Sequence, residues 1–240
     1  MYFEQEAYKV RCEWGAAAIT YLAPSSDVII IVDVLSFSTC VDIATARGAL
    51  IYPYPGYGDR LAEFAAGMRA TVAGSRDDTQ SYSLSPASLV EIAAGTRLVL
   101  PSPNGSALSV AGTAQDRVVL AGCLRNAAAV AAAVGRLGTR ILVVPAGERW
   151  PDQTLRPSVE DLVGAGCIVR ELSGSKSPEA MLAERAFTSL EGKVASTLRA
   201  CSSGRELIER GFAEDVELAA QVNVSDCAPI LVDGAYRISR

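Results

Sequence analysis

An acid closes the most apolar stretch of this chain. The aliphatic run 28–32 ends in Asp33, and a hydroxyl-rich turn, Ser36-Phe37-Ser38-Thr39, follows. A carboxylate at the end of a buried strand is costly unless paired. Asp33 therefore reads as a metal ligand or a nucleophile, against the alternative of a turn acid at a helix start. Ser38 and Thr39 offer hydroxyls and helix-start N–H groups to a phosphate, or else ordinary capping. Asn104-Gly105-Ser106 presents amides to an anion, or forms a plain Asn-Gly turn. Arg125-Asn126 stands before a helix and suits a carboxylate, sulfonate or phosphate, or a solvated Arg beside an N-cap. Ser158 to Asp161 has capping-box spacing. That leaves Glu160 unexplained and leaves both acids open to a metal. Glu148 adds a carboxylate just after another strand.

The chain of 240 residues contains no histidine. That excludes a Ser-His-Asp triad, a Cys-His pair, a phosphohistidine and imidazole-ligated zinc. Acid–base work falls to carboxylates, Lys, Tyr, Cys or metal-bound water. Carboxylates and hydroxyls without imidazole suit a hard cation such as Mg²⁺. A net charge of −5 and a pI near 4.9 argue against a general nucleic-acid binder. No apolar run approaches a membrane span, and the opening MYFEQEAYKV is polar and acidic. Six cysteines are scattered without a C-x-x-C, so reduced thiols and a cytoplasmic location are expected.

The elements that must position these residues follow from periodicity. Residues 28–32 read as a strand and 37–47 as a helix. Further strands are expected at 49–54, 71–73, 97–100, 117–121 and 140–145. Helices are expected at 60–68, 87–94, from 107, 127–137, 158–172, 179–186, 190–200, 203–210 and 213–221. Residues 8–22 alternate enough to suggest one or two strands, and the chain closes with a hairpin around Gly234. Strand–loop–helix repetition predicts a single α/β domain with a three-layer α/β/α architecture. The units at 28–47 and 140–172 share a plan that a duplication would give. If the strands before Asp33, Ser102, Gly122 and Ala146 are parallel neighbours, their loops converge on one sheet edge.

Several segments, taken in order, resemble the 2-phosphosulfolactate phosphatase family. They are VDVLSFST at 32–39, YSLSPASL at 82–89, SPNGSAL at 102–108, AGCLRNAAAVA at 121–131, VPAGE at 144–148, SVEDLVGAGCIV at 158–169, and GRELIERGFAEDVELAAQVNVSDCAPIL at 204–231. The resemblance implies a three-layer α/β fold, a Mg²⁺ requirement and hydrolysis of the phosphate ester of a small 2-hydroxy acid. On that basis Asp33 would hold Mg²⁺, with Glu160 or Asp161 as second ligand or water-orienting residue. Arg76, Arg125, Asn126, Glu148 and the amides near Ser38–Thr39 and Asn104–Ser106 would surround the substrate. The chain departs from the pattern at Ser36, where the family has Arg, at Phe37, where it has a small residue, and at Ser75, where it has Glu. These departures motivate a second expectation, an anion-binding protein that keeps the fold without catalysis. A phosphoaspartate mechanism at Asp33 resembles haloacid-dehalogenase-like phosphatases, but those carry a second Asp where this chain has Leu35. The alanine-rich composition is compatible with a homodimer.

Overall fold

Five consecutive aliphatic residues have no polar face, so the strand they form must be covered on both sides. The computed structural model, which describes residues 2–78 and 81–238, places β2 (Val28–Val32) in that position, every residue buried. Val28, Ile30 and Val32 enter one core; Ile29 and Ile31 enter the other. That alternation is the three-layer arrangement seen from a single strand.

The remaining elements fall on either side. Ahead of β2 lie β1 (Val10–Cys12) and α1 (Gly15–Leu22), and after it α2 (Phe37–Ala46), β3 (Leu50–Pro55), α3 (Leu61–Met68) and β4 (Thr71–Val72). The middle of the chain forms α4 (Pro86–Leu89), β5 (Arg97–Ser102), α5 (Gly105–Thr113), β6 (Val118–Gly122), α6 (Ala127–Val134) and β7 (Ile141–Pro145). A two-stranded ribbon, β8 (Glu148–Arg149) and β9 (Leu155–Arg156), leads into α7 (Val159–Glu171). Helices α8 (Pro178–Ser189), α9 (Val194–Ala200), α10 (Ser202–Glu209) and α11 (Ala213–Ala219) precede the hairpin β10 (Pro229–Val232) and β11 (Ala235–Ile238). One core gathers side chains of α6 to α11. The other gathers α1, α2, α4 and α5, and a small cluster beneath α3 covers the β3–β5 side.

Among the described residues, nine strands form one sheet in the order β1-β7-β2-β6-β10-β11-β3-β5-β4. Val32 pairs with Gly122 on one side and Pro145 on the other, so β2, β6 and β7 end level. The strand before Ser102 does not belong to this group. It runs parallel to β3, and the C-terminal hairpin separates the two parallel sets through antiparallel pairings. Three successive reversals make β3 and β5 run opposite to β2, so a flat sheet would put the β5 exit on the other edge from the β2 exit. The Gly105 amide nevertheless lies 2.9 Å from Asp33. The loops therefore meet although β5 is not a parallel neighbour of β2.

Residues 15–22 form a helix where alternation suggested strand. Ala18, Ile19 and Leu22 are buried and Ala16, Ala17 and Tyr21 exposed, a helical stripe favoured by three consecutive alanines. The helix expected over 87–94 closes after one turn at Leu89. Among the described residues, no helix is long and apolar enough to cross a membrane.

Candidate active site

The β2 exit is held by its own side chains. The Ser38 hydroxyl donates to the Ile31 carbonyl at 2.9 Å and accepts from the Asp33 amide at 3.1 Å. The Thr39 hydroxyl donates to the Val34 carbonyl at 2.8 Å. Both residues are completely buried, so they shape the turn rather than meet a ligand. The Leu35–Ser36 peptide within it is cis. Ser106 is likewise inside, donating to the Leu100 carbonyl at 2.7 Å.

Asp33 faces the opening this turn creates. One carboxylate oxygen accepts from the Phe37 amide at 3.1 Å, the other from the Gly105 amide at 2.9 Å. Two helix starts, α2 and α5, thus point at one carboxyl group. Burial nevertheless pushes its pKa up to about 7, reinforced by the charge of Glu148 and more weakly of Glu160. Glu148 is also pushed upward, by burial first and then by Glu160, against the hydrogen bond from Asn104. The Asn104 amide nitrogen donates to Glu148 at 2.9 Å.

Asp33, Ser36, Arg76, Asn104, Glu148 and Arg210 line a cleft of about 210 Å³. Arg76 enters it from the loop after β4. Its guanidinium donates to Ser36 Oγ at 2.9 Å and to Asp215 Oδ2 at 2.6 Å, and lies 5.7 Å from the centre of the Phe212 ring. A cation therefore stands directly over position 36. Ser75 stays outside, its exposed hydroxyl bonded to Asp77 in the same loop.

Other expected site residues lie elsewhere. Arg125 turns away and pairs with buried Asp42 at 3.0 Å, also donating to the Leu218 carbonyl and to Gln221. Burial raises the Asp42 pKa, opposed by hydrogen bonds from Ser225 and Arg125. Asn126 is fully buried and caps its own turn, accepting from the Cys123 amide at 2.8 Å. The expected capping box does not form: Ser158 makes no side-chain cap bond and instead donates to the Asp161 carboxylate at 2.9 Å, which also accepts from the Val34 amide at 2.7 Å and the Gly147 amide at 2.8 Å. Asp161 braces the β2 exit against the β7 exit. Burial, then the charges of Asp33 and Glu160, hold its pKa well above the usual range. Glu160 is buried and meets the Cys201 thiol, whose pKa rises to about 12 by burial and then by that charge.

Sequence reasoning passed over Asp215 and Arg210. Asp215 looks like a helix-start acid, but it shares the buried stripe of α11 with Val216 and Ala219, which is the signal that could have singled it out. Arg210 follows α10 and shows no distinguishing pattern.

A cation fits this donor set in one way. Among the described residues, no group of three or more acids or cysteines is arranged as a ready-made metal site. Three acids line the cleft: Asp33 and Glu148 are made costly by burial and by acidic neighbours, whereas Glu206 is exposed and pairs with Arg210 at 3.5 Å. Mg²⁺ usually takes one or two protein carboxylates, with waters and substrate oxygens completing its shell.

The Asp33 and Glu148 carboxylates and the Arg76 guanidinium thus share one cleft at the β2 exit of a layered α/β sheet. The chain belongs to the 2-phosphosulpholactate phosphatase family, whose sequence model matches residues 20–234. It is 29% identical over 209 residues to the probable 2-phosphosulfolactate phosphatase of Carboxydothermus hydrogenoformans, covering 84% of each chain. It is 28% identical over 207 residues to the 2-phosphosulfolactate phosphatase of Methanothermobacter thermautotrophicus, covering 84% of this chain and 80% of that one. With the probable enzyme of Thermotoga maritima it shares 26% identity over 226 residues, 90% of this chain and 95% of that one.

Proposed function

We propose that this chain is a Mg²⁺-dependent phosphatase of small phosphorylated acids bearing a carboxylate or sulfonate, with 2-phosphosulfolactate the first substrate to test. The observation that carries the reading is the shared cleft of Asp33, Glu148 and Arg76. At about 210 Å³ it lies below the roughly 300–1,000 Å³ of sites for drug-sized ligands, which suits a compact acid. The names of the relatives support the same substrate class.

Asp33 and Glu148 would hold the cation. Bound there, Mg²⁺ supplies charge neutralisation of the phosphoryl oxygens and a lowered pKa for a coordinated water. Arg76 presents N–H groups to an anionic oxygen beside Ser36. Asn104 fixes the rotamer of Glu148 through its hydrogen bond.

Phosphate release should be measured from 2-phosphosulfolactate, 2-phospholactate and 2-phosphoglycolate, with and without Mg²⁺. Absence of Mg²⁺-dependent release from all three would overturn the reading. Stabilisation by these acids without turnover would instead favour a binding protein.

The elevated pKa of Asp33 gives a pH signature. A carboxyl whose folded pKa is raised contributes stability that is complete below about pH 4 and is lost as pH rises through about 7. A cation that needs the ionised form restores what is lost. The rise in Tm caused by 10 mM Mg²⁺ is therefore expected to be large at pH 8 and small at pH 5.5. Apparent affinity should fall about tenfold per pH unit below the titration. Equal shifts at both pH values would separate Mg²⁺ from Asp33.

A further inference from the structure

Arg76 reaches the cleft from the loop between β4 and α4. The loop leaves β4 at Ala73, Gly74 bridges Ser83, and the chain re-enters helix at Pro86. A guanidinium on such a segment samples many orientations unless something outside the loop fixes it.

Asp215 of α11 supplies that restraint. It is 1% exposed, and its two oxygens have separate duties. Oδ1 accepts from the Ser85 hydroxyl at 2.6 Å and the Ala87 amide at 3.0 Å, fastening the end of the loop to α11. Oδ2 accepts from Arg76 Nη1 at 2.6 Å. The opposite nitrogen, Nη2, then meets Ser36 Oγ, and the guanidinium borders the cleft beside Asp33. One arm of the carboxylate is architectural; the other aims a cation at the place where substrate charge would sit.

We propose that Asp215 is the positioning residue that holds Arg76 in its anion-receiving orientation. The inference rests on the phosphatase reading above and deepens it. Asp215 borders no part of the cleft and acts through Arg76. Deprived of its carboxylate, the half-hidden cation would turn toward solvent, and capture of the anion would suffer more than the chemical step.

The test is a double-mutant cycle with Asp215→Asn and Arg76→Ala, read as KM and kcat separately. D215N should raise KM roughly 30-fold while changing kcat less than about threefold. R76A should raise KM at least as much, and adding D215N to R76A should have no further effect on KM. Ser85→Ala removes one of the two bonds of the architectural arm and leaves the Arg76 arm intact, so it should lower Tm and leave KM unchanged. Additive effects of D215N and R76A, or an unchanged KM in D215N, would overturn the proposal. Binding of inorganic phosphate, measured by calorimetry, provides a readout without turnover. Phosphate binding lost in both D215N and R76A of a catalytically silent protein would sink the phosphatase reading and leave the positioning role standing. Phosphate binding untouched by D215N would sink the positioning role itself.

Discussion

Asp33→Asn is expected to lower kcat by about 10³-fold and, at the same time, to stabilise the metal-free protein at pH 8. The two effects share a cause. The Asp33 pKa is raised from 3.8 to about 7, chiefly by burial, so keeping it ionised costs about 4 kcal/mol relative to the unfolded chain. An uncharged amide escapes that cost. It introduces another, because its NH₂ must face either the Phe37 or the Gly105 amide, each of which now donates to a carboxylate oxygen. Losing one such bond costs about 1–3 kcal/mol. The balance at pH 8 favours the variant by roughly 1–3 kcal/mol, or several degrees in Tm for a chain of this size. At pH 4 the wild-type carboxyl is already protonated in the fold, and the sign reverses: the variant has only the lost hydrogen bond and should melt lower. Urea or thermal unfolding without divalent metal across pH 4–8 would show the crossover. A variant less stable than wild type at both ends would mean that the Asp33 charge is compensated in the folded state. Full activity in D33N would remove Asp33 from the chemistry.

The same residue shows how far sequence reasoning reached. An acid ending an aliphatic run is visible in one dimension, as is the level exit of strands that share its pattern. The Ser158–Asp161 spacing is visible too, but its reading as a capping box is not met, because the Ser158 hydroxyl goes to the carboxylate and not to a helix-start amide. What Asp161 does with its remaining capacity is not legible, since Val34 lies 127 positions away. Arg125 shows the opposite failure. Its position before a helix suggested an anion clamp, and nothing local reveals that Asp42, inside an apolar helix, would claim it. Asp215 was hidden for a related reason: a helix-start acid is normally solvated, and only the burial of its helical neighbours marks it as facing inward. The direction of β5 could not be read from any segment. It depends on where the C-terminal hairpin inserts, between β6 and β3, which reverses β3 and β5 relative to β2, and the Gly105 amide still meets Asp33.

That meeting point carries the second large prediction. Gly105 starts α5, and a Cβ added there would lie 2.4 Å from Phe37 Cδ1 and 2.7 Å from Asp33 Oδ2. Neither neighbour can yield. Phe37 is fully buried and packs edge-on against Tyr236, ring centres 6.1 Å apart. Asp33 is fixed by two amides, one of them the Gly105 amide itself. Gly105→Ala must therefore push the start of α5 away from the β2 exit. Overpacking of this kind costs about 1–3 kcal/mol, and loss of the Gly105 bond adds about 1 kcal/mol or more. A fall in Tm of roughly 5–10 °C is expected. Activity should fall about 100-fold beyond any loss of folded protein, because the Gly105 amide is one of the two groups that hold the Asp33 pKa down. Without it the carboxyl stays protonated to higher pH, and the remaining activity should shift toward alkaline pH. Gly67→Ala serves as control. It lies in α3 with open space around the added Cβ, and helix propensity alone predicts a gain of about 0.5–1 kcal/mol. If G105A instead kept the wild-type Tm and pH profile, the close approach of the α5 start to Phe37 and Asp33 would be overturned.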